Sequence, residues 1–260
     1  MKNGARPFND LATVRRFEAA GFRAWPAASV QYDGAWAVRL TAGHPAKRLN
    51  SINPLDPGDQ ANLVERIARA ARRFEAYGRP LTFRMSPLSG QKIEAHLDSR
   101  DWRRFAESIV MRAPLDNRLV GDAISQIPLQ DMGRFIGAAI AIRSLDPSLR
   151  PGLSEVISSI EPDAGLFVLE VEGEPVSTAI CVRDGNLAGL FEVATDSRRR
   201  GEGHARRLLL SALKWARSHG AGEAWLQVEA DNDAAIGLYR SMGFIELYRY
   251  HYRQPAEAGP

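Results

Sequence analysis

The chain has 260 residues, of which 45% are hydrophobic and 25% are charged, so it can fill packed cores and is not a disordered polypeptide. Its formal net charge of +3 is too small to indicate a nucleic-acid-binding protein by itself. It has no apolar run near the roughly 18 residues of a membrane span and no signal-peptide core, so we expect a cytoplasmic protein without a membrane partner.

The first half of the chain predicts a layered unit of strands and helices. Leu63, Ile67, Ala70 and Phe74 recur at helical spacing, whereas the segment 32–40 alternates between its two sides like a half-buried strand. The predicted elements are, in order, a helix over 10–21 ended by Gly21, a strand over 32–40, its hairpin partner over 44–53, a helix over 60–78, a strand over 80–86, a helix over 90–100 and a strand over 105–113.

The second half predicts a similar order of elements. A boundary falls at 114–132, and we expect one domain over 1–118 and another over 125–260. The predicted elements are helices over 131–144 and 150–160, three strands within 165–196 with turns at Glu172-Gly173 and Asp184-Gly185, a helix over 204–220, a strand over 223–230, a helix over 232–243 and a strand over 244–253. We see no residue-level repeat, so tandem duplication rests on element order alone. The expected fold class is α/β (α+β), with a mixed sheet flanked by helices.

The single cysteine limits the possible chemistry. Cys181 has no partner for an intramolecular disulfide, and a metal site of several cysteines is excluded. It lies in the apolar run VSTAICV, where we expect a buried, inert thiol. The histidines do not cluster as metal ligands, and we expect no metal site.

The stretch DSRRRGEGHARRLLL, residues 196–210, places arginines on a glycine turn at the start of a helix. The first N–H groups of a helix lack intrahelical partners, and the helix dipole adds positive potential there. Gly201 and Gly203 allow close approach of a ligand, so the turn suits phosphate groups. It lacks the Gly-Lys-Ser/Thr of a Walker A loop, and Arg206 breaks a dinucleotide fingerprint.

The turn resembles the pyrophosphate-binding signature Q/R-x-x-G-x-G/A of the GNAT superfamily of N-acetyltransferases. Arg200, Gly203 and Ala205 fit it, and a second register through Arg198, Gly201 and Gly203 also fits. Downstream, ADNDAAIGLYRSMGF resembles the superfamily pattern N-x-x-A-x-x-L-Y-x-x-x-G-F. The resemblance covers about residues 125–253; for the first half it is architectural only, so that half is interpreted as a degenerate GNAT-like domain.

The resemblance implies acetyl-CoA as cosubstrate and a primary amine as acceptor, a protein N-terminus, a lysine or a small amine. The expected pyrophosphate site is the backbone of 201–206. The expected cofactor-binding residues are Val193, Ala194, Thr195, Arg200, Gly201, Glu202, Gly203, His204, Ala205, Arg206 and Asn232. The first three would pair with the pantetheine arm. Asn232 would bind the same arm or cap its helix, or do both.

The resemblance also assigns Tyr239 as the general acid that protonates the leaving thiolate, the alternative being a tyrosine that only packs on its helix. The general base stays open. Ribosomal-protein alanine acetyltransferases place a glutamate where this chain has Gln227, which cannot accept a proton. Glu192 is the preferred candidate, Glu229 the second, and a water relay the third.

Three classes of function compete. The leading one is an acetyl-CoA-dependent N-acetyltransferase, a monomer or homodimer, with one coenzyme bound beyond residue 185. In such an enzyme the first half of the chain would cover the acceptor side of the active site. RLNSIN, residues 48–53, is the most polar candidate surface of that half. The second is a non-catalytic acyl-CoA-binding regulator, which the missing glutamate at Gln227 favours and Tyr239 disfavours. The third, a nucleic-acid binder, lacks the interleaved aromatics it would need.

Overall fold

The computed structural model describes residues 10–256 and contains one mixed sheet of ten strands, in the order β1-β2-β3-β4-β10-β5-β9-β8-β7-β6. The strands are β1 Ser29–Asp33, β2 Trp36–Leu40, β3 Ser51–Pro54, β4 Phe83–Met85, β5 Arg103–Pro114, β6 Asp163–Val171, β7 Glu174–Asp184, β8 Leu187–Thr195, β9 Glu223–Glu229 and β10 Ile245–Gln254. Only the pairs β3/β4 and β8/β9 are parallel. The expected mixed α/β architecture is confirmed.

Eight α-helices cover the two faces of this sheet within residues 10–256. They are α1 Leu11–Ala24, α2 Leu63–Ala76, α3 Gln91–Asp98, α4 Asn117–Val120, α5 Met132–Arg143, α6 Arg150–Ser158, α7 His204–Ser218 and α8 Asp233–Ser241. Most were predicted within a few residues, because their apolar positions repeat at helical spacing and side chains such as Asp10, Asp131 and Asn232 cap their first turns.

The two halves of the chain exchange their last strands. β5, which ends the first half, lies between β9 and β10, and β10, which ends the chain, lies between β4 and β5. The β5/β9 ladder is regular from Ser108↔Glu229 to Pro114↔Glu223. Both halves therefore depend on each other for backbone pairing, and the division at residues 118–125 stays a prediction about the sequence.

The sheet separates two main apolar clusters, and a third lies in the first half. One joins α1, α5 and α6 to residues such as Phe191 and Trp225. Another joins α7 and α8 to the opposite side of the second half. The third packs α2 and α3 on β2, β3 and β4. Because α1 belongs to the cluster of α5 and α6, the first half covers part of the second.

Four local predictions were wrong in detail. RLNSIN is not a polar surface, because residues 49–53 are buried. Helix α1 does not end at Gly21 but continues to Ala24. An added Cβ at Gly21 would lie 3.3 Å from the Trp225 ring, so this glycine serves close packing and not helix termination. The segment 32–40 is not one strand, because it contains the end of β1, a turn at Gly34 and then β2, which pairs with β1. The second predicted turn lies one residue later, at 185–186.

Cys181 is fully buried, as expected, and burial raises the pKa of its thiol. None of the helices within residues 10–256 is long and apolar enough to cross a membrane.

Candidate active site

Strands β8 and β9 form a fork. Their parallel pairing runs from Leu187↔Glu223 to Leu190↔Leu226 and then stops. Beyond that point β8 continues to pair with β7, and β9 continues to pair with β5. The edge of β8 from Val193 to Thr195 therefore faces the fork with main-chain groups that β9 does not use. Such an edge can pair with an extended ligand that carries amide groups.

A β-bulge shapes the β8 side of the fork. Between the pairs Ile180↔Phe191 and Thr178↔Ala194, β8 has one residue more than β7, and Glu192 has a φ of 48°. A bulge of this kind lets neighbouring side chains share a face. Phe191 stacks on Trp25 at 5.8 Å, and Glu192 forms an ion pair with Arg143 of α5. Both side chains thus lie on the face covered by α1 and α5.

The glycine turn before α7 is open. Gly201 and Gly203 have φ values of 83° and 80°, and a Cβ added to either would meet nothing within 4 Å. Helix α7 begins at His204 with no side-chain cap. Its first N–H groups and the positive end of its dipole are therefore available to an anion. The turn has the space and polarity that a phosphate group requires.

The carboxylates near the turn are neutralised by their own neighbours. Glu202 accepts a hydrogen bond from Arg199 at 2.9 Å and contacts Nε2 of His204 at 3.0 Å. Asp196 binds Arg198 at 2.6 Å, and this hydrogen bond lowers the pKa of Asp196 to about 2. Hydrogen bonding from Arg199 also lowers the pKa of Glu202. These acids remain ionised at neutral pH but do not leave the turn negative.

Other arginines of the turn remain exposed and free for a ligand. Arg206 reaches α8, where it lies 3.3 Å from the Ser241 hydroxyl. Within residues 10–256, Arg200 and Arg207 form no ion pair with a carboxylate, and both are exposed. The surroundings of the turn therefore remain positive.

The two predicted residues of α8 differ in their surroundings. Asn232 caps the helix by accepting a hydrogen bond from the Ala235 N–H at 3.1 Å. Tyr239 is only 6% exposed and packs on Phe244, and its hydroxyl has no hydrogen-bond partner among the described residues. Burial raises the pKa of Tyr239 to about 12, so the hydroxyl is protonated at neutral pH and can act as a proton donor.

Gln227 and Glu229 of β9 have different surroundings. Gln227 accepts a hydrogen bond from the Tyr250 hydroxyl at 2.7 Å and faces α1. The Glu229 side chain is 60% exposed, and its carboxylate lies 3.8 Å from the Lys47 ammonium. Glu192 lies on β8 two residues beyond the last β8/β9 pair, which is Leu190↔Leu226.

A buried polar network beside Gln227 was missed by sequence reasoning. Glu18 of α1 pairs with both outer nitrogens of Arg84 and accepts a hydrogen bond from the Tyr248 hydroxyl at 2.6 Å. Glu18 and Arg84 are 3% and 4% exposed. Burial alone would lower the pKa of Arg84, but Glu18 raises it well above the usual value. The sequence feature that could have indicated this network is the arginine inside the apolar strand LTFRM.

His44 is a second residue that the sequence did not single out. It lies half-buried in the loop before β3 and accepts a hydrogen bond from the Ala46 N–H on Nδ1 at 3.2 Å. Burial lowers its pKa, and the charge of Glu192 opposes that effect. A neutral imidazole thus lies within electrostatic reach of Glu192.

Residues 10–256 contain no cluster of histidine, cysteine and carboxylate side chains that could hold a metal ion.

Residues 140–244 match the model of the Acetyltransferase (GNAT) family, and this range covers the fork, the turn and α8.

Curated relatives support the same assignment. The uncharacterized N-acetyltransferase YobR of Bacillus subtilis is 24% identical over 256 residues, which cover 92% of this chain and 98% of that protein. The [ribosomal protein bS18]-alanine N-acetyltransferase of Escherichia coli is 36% identical over 80 residues, 31% of this chain and 54% of that enzyme. Human N-acetyltransferase 8B is 34% identical over 39% of this chain, which spans about half the length of that relative.

Solved structures share the fold over the whole chain. A GCN5-related N-acetyltransferase from Kribbella flavida superposes with a TM-score of 0.65 at 18% identity, over 93% of this chain and 95% of the other. A tandem GNAT protein from the clavulanic acid biosynthesis pathway gives 0.61 at 15% identity, over 98% of both chains. Residues 140–244 therefore form a GNAT-family domain of an acetyl-CoA-dependent N-acetyltransferase, and the chain shares its fold with a tandem GNAT protein.

Proposed function

We propose that the chain transfers an acetyl group from acetyl-CoA to a primary amine in the fork between β8 and β9. The observation that carries this proposal is the open fork followed at once by the open glycine turn. In one chain segment, 193–206, a strand edge that does not pair with β9 leads to a helix N-terminus that carries no side-chain cap. An extended amide-containing arm that ends in a pyrophosphate matches both parts.

In this proposal the backbone of 201–206 binds the pyrophosphate, and Arg200 and Arg206 add charge-assisted contacts. The edge of Val193, Ala194 and Thr195 pairs with the pantetheine arm. Glu202 and His204, which bind each other, and Ala205 contribute through the turn's backbone. Asn232 contributes its side-chain Nδ2, because its side-chain oxygen caps α8 and its main-chain N–H and C=O bond Glu229 and Ile236.

The acetyl-CoA thioester supplies the reacting carbonyl: the amine nitrogen forms a bond to its carbon, the C–S bond breaks, and the products are an amide and a thiol. Tyr239 gives the proton that the sulfur needs, because its hydroxyl is protonated and unpartnered among the described residues. The proton lost by the amine is accepted by a base on the side of the thioester opposite Tyr239.

Glu192 is the proposed acceptor of that proton. The bulge turns its side chain toward α5, and the ion pair with Arg143 holds the carboxylate beside the fork. Glu229 is a weaker candidate because its side chain is 60% exposed, whereas that of Glu192 is 9% exposed. A water relay is the third candidate, because a cavity of about 10 Å³ beside Gln227 has room for about one water molecule.

The alternative is a regulator that binds acyl-CoA without catalysis. Gln227 favours it, because its amide is held by Tyr250 and cannot accept a proton. An assay of thiol release from acetyl-CoA over a panel of amines, with protein N-termini, lysine and small amines, separates the two. Turnover on any amine supports the enzyme; acetyl-CoA binding without turnover across the panel supports the regulator.

A further inference from the structure

A small cavity lies where the fork begins, and both halves of the chain line it. Phe191 and Gln227, the first residues beyond the last β8/β9 pair, form one side of it. The remaining lining residues come from the first half: Glu18, Gly21, Phe22, Trp25, Arg39, Arg48 and Arg84. Because the cavity adjoins the fork, a group bound in it lies next to the place proposed for the thioester.

The charges in this cavity do not balance. Three guanidiniums line it against one carboxylate, that of Glu18. That carboxylate is already used, because it pairs with Arg84 and accepts the hydrogen bond of Tyr248. Among the described residues, Arg39 and Arg48 therefore have no carboxylate partner.

Arg39 is the most unusual of the three. It is 3% exposed, its two terminal nitrogens donate to the carbonyls of Arg48 and Trp25, and its Nε has no partner within residues 10–256. Burial, and then the charge of Arg84, lower the pKa of Arg39 to about 9. A buried cation without a counter-ion is unfavourable unless an anion compensates it.

We propose that Arg39, Arg48 and Arg84 bind an acidic group, a carboxylate or a phosphate, of the acceptor amine. The inference rests on the proposed acetyl transfer and specifies its acceptor class. The guanidiniums hold the acidic group in the cavity, and the amine of the same molecule extends toward Phe191 and Gln227. Planar guanidinium groups suit both oxyanions, because they offer paired N–H donors.

The cavity has a volume of about 10 Å³, which is room for about one water molecule. An acidic group therefore enters it only when a lining side chain moves. Arg39 and Arg84 are buried, whereas Arg48 is half-buried and its guanidinium lies 5.8 Å from the Phe191 ring. Arg48 is the side chain that moves to admit the acidic group. The first half of the chain thereby contributes specificity to a site whose cosubstrate is bound by the second half.

The test compares matched amines in the thiol-release assay. The pairs are phenylalanine with phenethylamine, β-alanine with ethylamine, and phosphoethanolamine with ethanolamine. We expect kcat/KM to be at least tenfold higher for the acidic member of at least one pair; the first two pairs report a carboxylate and the third a phosphate. Equal rates within every pair, or a preference for the neutral members, would overturn the proposal.

A binding measurement keeps this result separate from the proposed function. Benzoate and phenyl phosphate carry the acidic group without an amine, and benzyl alcohol is their neutral control. Calorimetry on the acetyl-CoA complex is expected to show binding of one of the anions and not of the alcohol. Anion binding without turnover on any amine would remove the acetyl transfer and keep the anion site; no anion binding would remove the site.

Substitutions locate the site. Arg48→Gln is expected to raise KM for the acidic amine at least tenfold, to reduce the preference within the pair, and to leave KM for acetyl-CoA unchanged. Arg39→Gln should do the same if it folds. Arg72→Gln, on the exposed side of α2, is the matched control. A wild-type preference in Arg48→Gln would contradict the assignment even if Arg39→Gln does not fold.

Discussion

The two halves of the chain each contain a parallel strand pair connected by a helix without a side-chain cap, but the turn before that helix is open in only one of them. In the second half, β8 and β9 share four register pairs and then separate, and the turn before α7 leaves Gly201 and Gly203 in open space. In the first half, β3 and β4 share a single register pair, Ile52↔Phe83. The two halves also differ in the segment that precedes the helix after each pair's first strand, α2 in the first half and α7 in the second.

In the first half, a carboxylate of the chain occupies the place before α2. Asp59 accepts a hydrogen bond from the Ala35 N–H at 2.7 Å and forms an ion pair with Arg66 at 2.9 Å. Arg66 is 5% exposed and lies 3.9 Å from the Trp36 ring. A Cβ added to Gly34 would come within 2.5 Å of Asp59, so the space is filled. We therefore expect a cosubstrate site only in the second half, where the turn stays open and positive.

The largest effect is expected when the halves are separated. A protein of residues 125–260 lacks β5, which pairs with both β9 and β10, and lacks α1, which belongs to the cluster of α5 and α6. We expect it to lose acetyl-CoA binding and cooperative unfolding, measured by calorimetry and circular dichroism. A folded fragment with the affinity of the full chain would show that the strand exchange is dispensable.

The next effect concerns the proposed acid on α8. Tyr239→Phe is expected to retain acetyl-CoA affinity and to lower kcat by roughly 100- to 10,000-fold, the usual contribution of general acid catalysis. Tyr32→Phe is the matched control, because Tyr32 is 68% exposed in the first half. A Tyr239→Phe protein with unchanged kcat would show that the thiolate leaves without this proton donor.

A smaller effect is expected at the glycine turn. Gly203→Asp places a negative charge beside the proposed pyrophosphate, and acetyl-CoA affinity is expected to fall at least tenfold, about 1.4 kcal/mol. Gly203→Asn adds a side chain of similar size without the charge and should lose less acetyl-CoA affinity. Asparagine and aspartate both tolerate a positive φ, so the two variants differ mainly in charge. Gly78→Asp, at another open glycine with a φ of 61°, controls for backbone strain. Wild-type affinity in a folded Gly203→Asp protein would exclude the turn as the phosphate site.

Sequence patterns predicted the features that depend on neighbouring residues. Helical periodicity located the long helices, glycine-containing turns located the β6-β7-β8 hairpins, and the turn at 201–203 has the open geometry that its two glycines imply. The family resemblance in the second half is confirmed by the match at 140–244. The roles of the individual site residues stay predictions.

Features that depend on distant residues were not predictable in this way. Glu18 and Arg84 are 66 residues apart, and the charge of each indicated an exposed position rather than a buried pair. The exchange of β5 and β10 follows from pairing across the whole chain, which local hydrophobic periodicity does not encode. Gly21 was interpreted as a helix end because its contact with Trp225 lies outside its own segment.

Calorimetric titration of the full-length chain with acetyl-CoA tests most directly whether only one of the two strand pairs is a cosubstrate site. The open turn of the second half and the Asp59–Arg66 pair of the first predict one acetyl-CoA per chain. Two sites of comparable affinity, or a single site that survives unchanged in Gly203→Asp, would contradict the account.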